Sequence, residues 1–554
     1  MNIRIIISPA HITTVVLLVS SIVLHAQDAE RITSADAYSV TGSVLSRIVG
    51  YSAQGIADRR VPLSYVFSGT VNINLADLAL PFTFTYSEQA RSFAQPFNQI
   101  GVSPRYKWIT AHAGYRNVNY SPFTLGGHQF LGWGVDLTPG NWRISAMNGE
   151  FQSAVEEDTL RLLQQLPAYR RTGWAAKLGY GDGSTFIDVS VLKARDDTSS
   201  LRLAPRASDV LPAENLVLGA STRIAIAEGV SAYADAGASS YTRDVRSDVF
   251  SDNSGITSSL SPLLTVRQST NVFTALQGGL SLNTPSVGID LTFSRIDPDY
   301  KSMGIYFINN DQIQWSVTPS LTLFDNMLRV RVQYQRMNDN VQGKKLSTTH
   351  RENINAQFSY APSAFFGVDV SASTMNTSQR DGTVAVVDSL RMNFSNPSLT
   401  VTPRYTLMDS LLSQTFVGML MVQRLSDGNA RTAQFSQYTS LSASLGYVAS
   451  WTRSGISINC NANHNSLTNS AGTFSASGIS AGGTASMYEN TLSLGATTSI
   501  SLQTSATVLT AGVTASYRPH ERHTIELTTT AMRSASPVTE FQELSGVLSY
   551  VLTF

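Results

Sequence analysis

The sequence predicts an all-β chain closed into a single antiparallel transmembrane barrel of about 24 strands, an even number between roughly 22 and 26. Three observations carry that expectation. Apolar and polar residues alternate along most of the chain, the connections alternate between short and long, and charge is scarce. Of 554 residues only 14% are charged, while 42% are hydrophobic, and 39 basic residues balance 39 acidic ones to zero net charge. A water-soluble domain ordinarily carries about a quarter charged residues. A helical membrane protein needs apolar runs of about 18 residues or more, and none occurs beyond the N-terminus. Alternating strands that turn one face to lipid and one to a wet lumen satisfy both facts. The charge balance leaves no basic stripe, so no nucleic-acid partner is expected.

The chain opens with Arg4 as its one acidic or basic residue before Asp28. An apolar core over 15–24 and His25-Ala26-Gln27 follow. This order of a basic start, a short apolar core and a small-residue site reads as a secretory signal over 1–27, with the mature chain starting near Gln27 or Asp28. An uncleaved anchor is the alternative, weakened by the shortness of the apolar core. The segment 28–61 is expected to be periplasmic, lumenal or an extra strand, and 62–554 to be the barrel.

Period-two alternation runs through 287–293, 313–323, 328–334, 366–372, 399–405, 456–462 and 492–496. One such stretch fits any half-buried sheet; many in succession, with almost no helical period between them, argue an all-β chain. Pro319 and Pro403 interrupt two of these strands. Proline cannot donate to the ladder, so bulges are expected at both points. Short turns such as 138–141, 181–183, 227–229 and 324–326 alternate with long polar segments near 151–170, 196–212 and 243–270. That is the pattern of short inner turns and long outer loops. The stretch 89–103 falls on the wrong side of this alternation, and the parity is weakest before residue 128. One helix is expected over 154–166, capped by Ser153 and Glu156 and ended by Pro167.

Alternation sorts the side chains. Trp315, Val317, Leu321, Leu328, Val330, Val332, Phe366, Val368 and Leu552 are expected to face lipid. Asp188, Asp290, Arg329, Arg331, Gln333, Asp369, Arg404 and Glu526 are expected to line the lumen, because an arginine at the lipid midplane costs about 2–4 kcal/mol. Trp142, Trp174 and Trp451 sit near strand ends and read as interface anchors. Cys460 falls on the apolar parity and excludes any intrachain disulfide, since it has no cysteine partner. No cofactor, metal site or catalytic set is expected. Gly478-Ile-Ser480-Ala-Gly482 matches a hydrolase elbow only in letters, lacking a helix after it. His520 and His523 lack a third ligand.

The chain ends on Leu548, Tyr550, Leu552 and Phe554 at alternating positions. This series resembles the C-terminal signature of bacterial outer-membrane β-barrels. The stretch "GVSPRYKWITAHAGYRNVNYSPFTLGGHQFLGWGVDLTPG" (101–140) looks like large barrels of the Bacteroidota and Chlorobiota type, whose function is not established. The resemblance implies residence in the bacterial outer membrane, with the lipid bilayer as surroundings and the barrel-assembly machinery as a partner during insertion. A passive channel or transporter for small solutes is the function expected. A structural or partner-binding barrel in a cell-surface or secretion assembly is the alternative.

Overall fold

The computed structural model describes residues 38–88, 98–157, 166–203, 205, 210–250 and 263–554. The signal region 1–27 and most of the helix expected over 154–166 lie outside the described residues. The first residues of that stretch are extended instead, with Val155 bridged to Ala168.

Among the described residues, 27 strand segments join one sheet. Two of them, Gln99–Val102 and Arg105–Tyr106, lie between the same two neighbours and form one interrupted strand. The ring therefore has 26 strands, more than the 24 counted from sequence and at the top of the expected range. Closure is direct. The first strand, Tyr38–Gln54, pairs antiparallel with Leu63–Leu75 on one side and with the last strand, Glu540–Thr553, on the other. Beyond the ladder, Gly42 N–H donates to the Phe554 carbonyl at 2.7 Å and Phe554 N–H donates to Gly42 at 3.0 Å. Tyr38–Gln54 is thus a strand of the described wall, the extra-strand alternative among the three expected for 28–61.

Every pair of neighbours is antiparallel, and the connections segregate by length. Turns such as 76–77, 107–108, 228–229 and 521–522 sit at one end, and the longest there is 361–365. The other end carries 153–170, 197–213, 243–269 and 297–311. Most of the awkward stretch 89–103 lies outside the described residues; its last part, Gln99–Val102, is a strand paired with Leu78–Ser87 and Ile109–Val118. At the loop end the connections 470–471 and 504–506 are also short, so loop length fades toward the C-terminus.

The expected bulges at Pro319 and Pro403 are absent. Ser316↔Gln335 and Ser320↔Arg331 keep one register across Pro319, and Val401↔Leu420 and Arg404↔Val417 keep one across Pro403. A missing N–H removes single rungs there, while the flanking rungs hold the strands in step. Register shifts occur instead at Glu150/Gln152, Ala225/Ala227 and Tyr517/His520.

Followed round the ring, these registers divide the side chains into two continuous faces. The outer face is apolar and exposed, as at Leu178, Ile187, Val189, Leu280, Leu291 and Phe293. Trp142 rests edge-on against Tyr180 at the turn end, and Trp315 lies against Tyr334 toward the loop end. Such paired aromatics suit the two edges of an apolar belt. Trp174 and Trp451 share this outer face, as does Cys460, opposite Tyr447. Alternation does not turn every charge inward, however. Arg336 and Glu352 pair on the outer face at 4.0 Å, close to the loop end, where a belt gives way to polar surroundings.

The two faces give a paired test. Val332→Arg on the outer face is expected to lower the unfolding free energy in lipid vesicles by about 2–4 kcal/mol. Gln333→Arg, one residue on and facing inward, is expected to change it by well under half as much. Urea titrations of both variants measure the difference.

Candidate functional site

The inner face is the candidate site, and its two sides differ. Along the strands from Ile109–Val118 to Val287–Ile296 it is covered by two inward-folded connections, 119–127 and 297–311. They meet each other first. Leu125 bridges Gly304 in parallel, and Tyr300 Oη donates to the Phe123 carbonyl at 2.8 Å. Ser302 Oγ donates to the Thr124 carbonyl. They then bind the wall. The Tyr120 and Ser145 hydroxyls share a 2.5 Å hydrogen bond, and those of Thr124 and Ser190 one of 3.0 Å. Met303 N–H donates to Asn215 Oδ1 at 3.0 Å. Leu125, Leu192, Val217, Phe130 and Phe151 bury one another around this contact, and Tyr300 is fully buried.

Glycines make the room. Gly219 and Gly237 face each other on adjacent strands. A Cβ on Gly219 would lie 2.4 Å from the Thr124 methyl, and one on Gly237 would lie 2.6 Å from Phe123 Cβ and 2.4 Å from Tyr300 Oη. Glycine weakens a strand interior, and its use marks a place where another segment comes close. Here that segment is the chain's own.

Beneath this covering lies a buried polar network. Asp188 accepts an ion pair from Arg143 at 3.1 Å and lies 3.8 Å from Lys177, whose ammonium stands over the Tyr120 ring at 5.3 Å. His112 joins Ser103 at 3.0 Å through Nδ1 and Asp136 at 2.8 Å through Nε2. Ser103 and His112 are both buried, so this hydroxyl–imidazole–carboxylate series braces three strands and presents no open nucleophile. Period-two alternation marks the parity of His112 and Asp136. It carries no register, and so does not bring them together.

The other side of the inner face, along the strands from Gln312–Leu323 to Glu540–Thr553 and back to the first, carries the rest of the sequence-derived set. The register puts Asp188, Asp290, Arg329, Arg331, Gln333, Asp369, Arg404 and Glu526 on one continuous inner face. It brings Arg331 to 3.9 Å from Asp290 and lines Arg329, Arg331 and Asp369 along one concavity of about 450 Å³. It leaves Glu526 among hydroxyls, opposite Ser516 and Ser549, and keeps Asp188 apart under the covered side. Sequence reading missed a ladder of four inward asparagines, Asn459, Asn461, Asn463 and Asn465, faced by Ser442 and Ser444. Its alternation was read only for its apolar parity.

Among the described residues, no cluster of His, Cys, Asp and Glu is arranged to hold a metal ion. His523 Nδ1 hydrogen-bonds the Tyr550 hydroxyl at 2.8 Å. Ser480 lies within the strand Gly472–Met487, with no elbow around it.

Outside the wall, Asp311 ties the inward connection to the neighbouring loop. Burial works against its charge, but the Lys345 ammonium and the Val341 N–H at 2.8 Å outweigh it and hold the carboxyl below its usual range. A depressed folded-state value means the contact contributes fully above the ordinary carboxylate range and is lost as pH falls through that depressed value. Limited proteolysis of loop 339–346 is therefore expected to be unchanged from pH 8 to pH 5 and to accelerate below about pH 4. Gly237→Val is expected to push 119–127 and 297–311 off the wall. Hydrogen exchange at Leu125, Gly126 and Gly304 would rise by tenfold or more, about the loss of 1.4 kcal/mol in local stability.

No family model matches the chain, and no curated protein matches it. Solved structures do. The translocation pore of the P pilus usher PapC aligns over 93% of this chain and 99% of its own, at 8% identity and a TM-score of 0.39. A BenF-like porin from Pseudomonas fluorescens Pf-5 aligns over 93% and 99%, at 9% and 0.30. OccK10 (OpdN) of Pseudomonas aeruginosa aligns over 61% and 93%, at 12% and 0.34. At such scores these likenesses carry no argument about function, and the reading rests on the barrel's own geometry.

Proposed function

We propose that this chain is a bacterial outer-membrane barrel that conducts small solutes through the side of its lumen that the described connections leave uncovered. The observation that carries the reading is the coexistence of an apolar outer face and a polar, charge-bearing inner face on one closed ring. A circular ring of that many strands, spaced ~4.8 Å and tilted about 40°, would be roughly 50 Å across at the backbone. The inward connections 119–127 and 297–311 cover one arc of such a wall. Asp290, Arg329, Arg331, Gln333, Asp369, Arg404 and Glu526 line the path in this reading, and both signs of charge make it weakly selective between cations and anions. Leu548, Tyr550, Leu552 and Phe554 are the strand read by the assembly machinery at insertion.

The packed covering favours one second reading, a scaffold or partner-binding barrel whose lumen is closed in use. Planar bilayers separate the two. Stepwise conductance, larger in Gly237→Val than in the parent, supports the channel. Silence of both proteins at all voltages, with folded barrel verified by circular dichroism, supports the scaffold.

A further inference from the structure

We propose that the concavity around Arg329 and Arg331 is a binding site for small dianions, of which a short dicarboxylate is the simplest. This inference rests on the lumenal reading of the inner face. Two rows of the sheet build it. Thr322, Arg329, Ser359 and Asp369 are successive partners along one row, and Ser320, Arg331, Gln357 and Ser371 along the next. All eight line the same concavity of about 450 Å³. The two guanidinium stems rise from one strand about 7 Å apart, one side-chain repeat.

Charge decides the ligand. Among the described residues, Arg329 has no carboxylate within ion-pairing distance. Among the described residues, Arg331 has one ion-pair partner, Asp290 at 3.9 Å, with both side chains about half exposed. A pair of that length and exposure contributes little and yields readily to a competing anion. Asp290 is also held from the other side by the Ser281 hydroxyl at 2.6 Å, so it has a partner when Arg331 leaves. Guanidinium forks match carboxylates two bonds at a time. Around them stand hydroxyls and one amide, which add donors without adding positive charge. Asp369, across the Arg329 row, opposes an anion extending that way. It directs the second acidic group along the strand, over Arg331, rather than across the sheet. A single acidic group satisfies one fork; two groups at this spacing satisfy both.

Titration calorimetry on the folded full chain in detergent micelles tests this without any need for conduction. Succinate is expected to bind the parent, and acetate to bind about tenfold more weakly or worse. Arg329→Gln with Arg331→Gln is expected to weaken succinate by about tenfold or more. Arg391→Gln, which removes the same charge from a loop-end connection, is expected to bind succinate as the parent does. Equal succinate affinity in the double variant overturns the proposal. So does absence of succinate binding to the parent, or an equal loss in Arg391→Gln. Succinate binding by a protein silent in bilayers would sink the channel reading alone. Conductance without succinate binding would sink only this site.

Discussion

A sheet in hydrocarbon has no water to satisfy an open edge, so the pairing of first and last strands governs everything else in this molecule. The seam from Ser43↔Thr553 to Gln54↔Gln542 leaves neither edge strand unpaired. Closure fixes an inside and an outside. It also forces strict consistency, since one slipped strand would turn its aliphatic side chains into the lumen. Three local register shifts are absorbed without breaking the two faces. The prolines that interrupt ladders cost rungs but no register.

Closure alone does not explain why the inner face has two characters. On the covered side, small residues and hydroxyls accept the inward connections, and charges pair closely beneath them. Asp188 meets both Arg143 and Lys177, and Arg171 grips Asp196 with two hydrogen bonds. On the other side the paired charges are exposed, as with Arg331 and Asp290, both about half exposed, and hydroxyls and amides line the wall around them. A buried charge must be paired to persist, whereas one facing water need not be. The covering therefore accounts for the burial of the paired acids Asp188 and Asp196, each only 4% exposed.

Much of this was legible beforehand. Alternation from 287 onward reads directly as strands because both faces are uniform there: Val, Leu and Phe outside, Arg, Asp and Thr inside. Parity alone separates Asp290, Arg329, Arg331 and Asp369 from Val330, Val332 and Val368, without knowing a single pairing. The count of 24 fell two short of the ring's 26: it began after Tyr38–Gln54, and between Leu63 and Val118 a four-residue segment such as Gln99–Val102 carries no readable period. The inward connections were invisible for a different reason. Their partners lie far away in sequence, as with Phe123 and Tyr300, and only register brings them together. Gly219 and Gly237 were clues, yet a strand glycine does not announce which segment it admits.

The covered arc has a mechanical consequence. Tyr300 reaching back to Phe123 ties together a stretch of wall whose ends are 177 residues apart in the chain. Strands in that arc are held by rungs to their neighbours and also by a strut across several of them. The described strands in the other arc are held by rungs and by side-chain bonds to near neighbours, such as Arg331 with Asp290 and His523 with Tyr550. The barrel is therefore a hoop braced along about a third of its ring. Lateral pressure from the bilayer should bend it unevenly, changing the cross-section by flexing the uncovered wall while the braced wall keeps its shape.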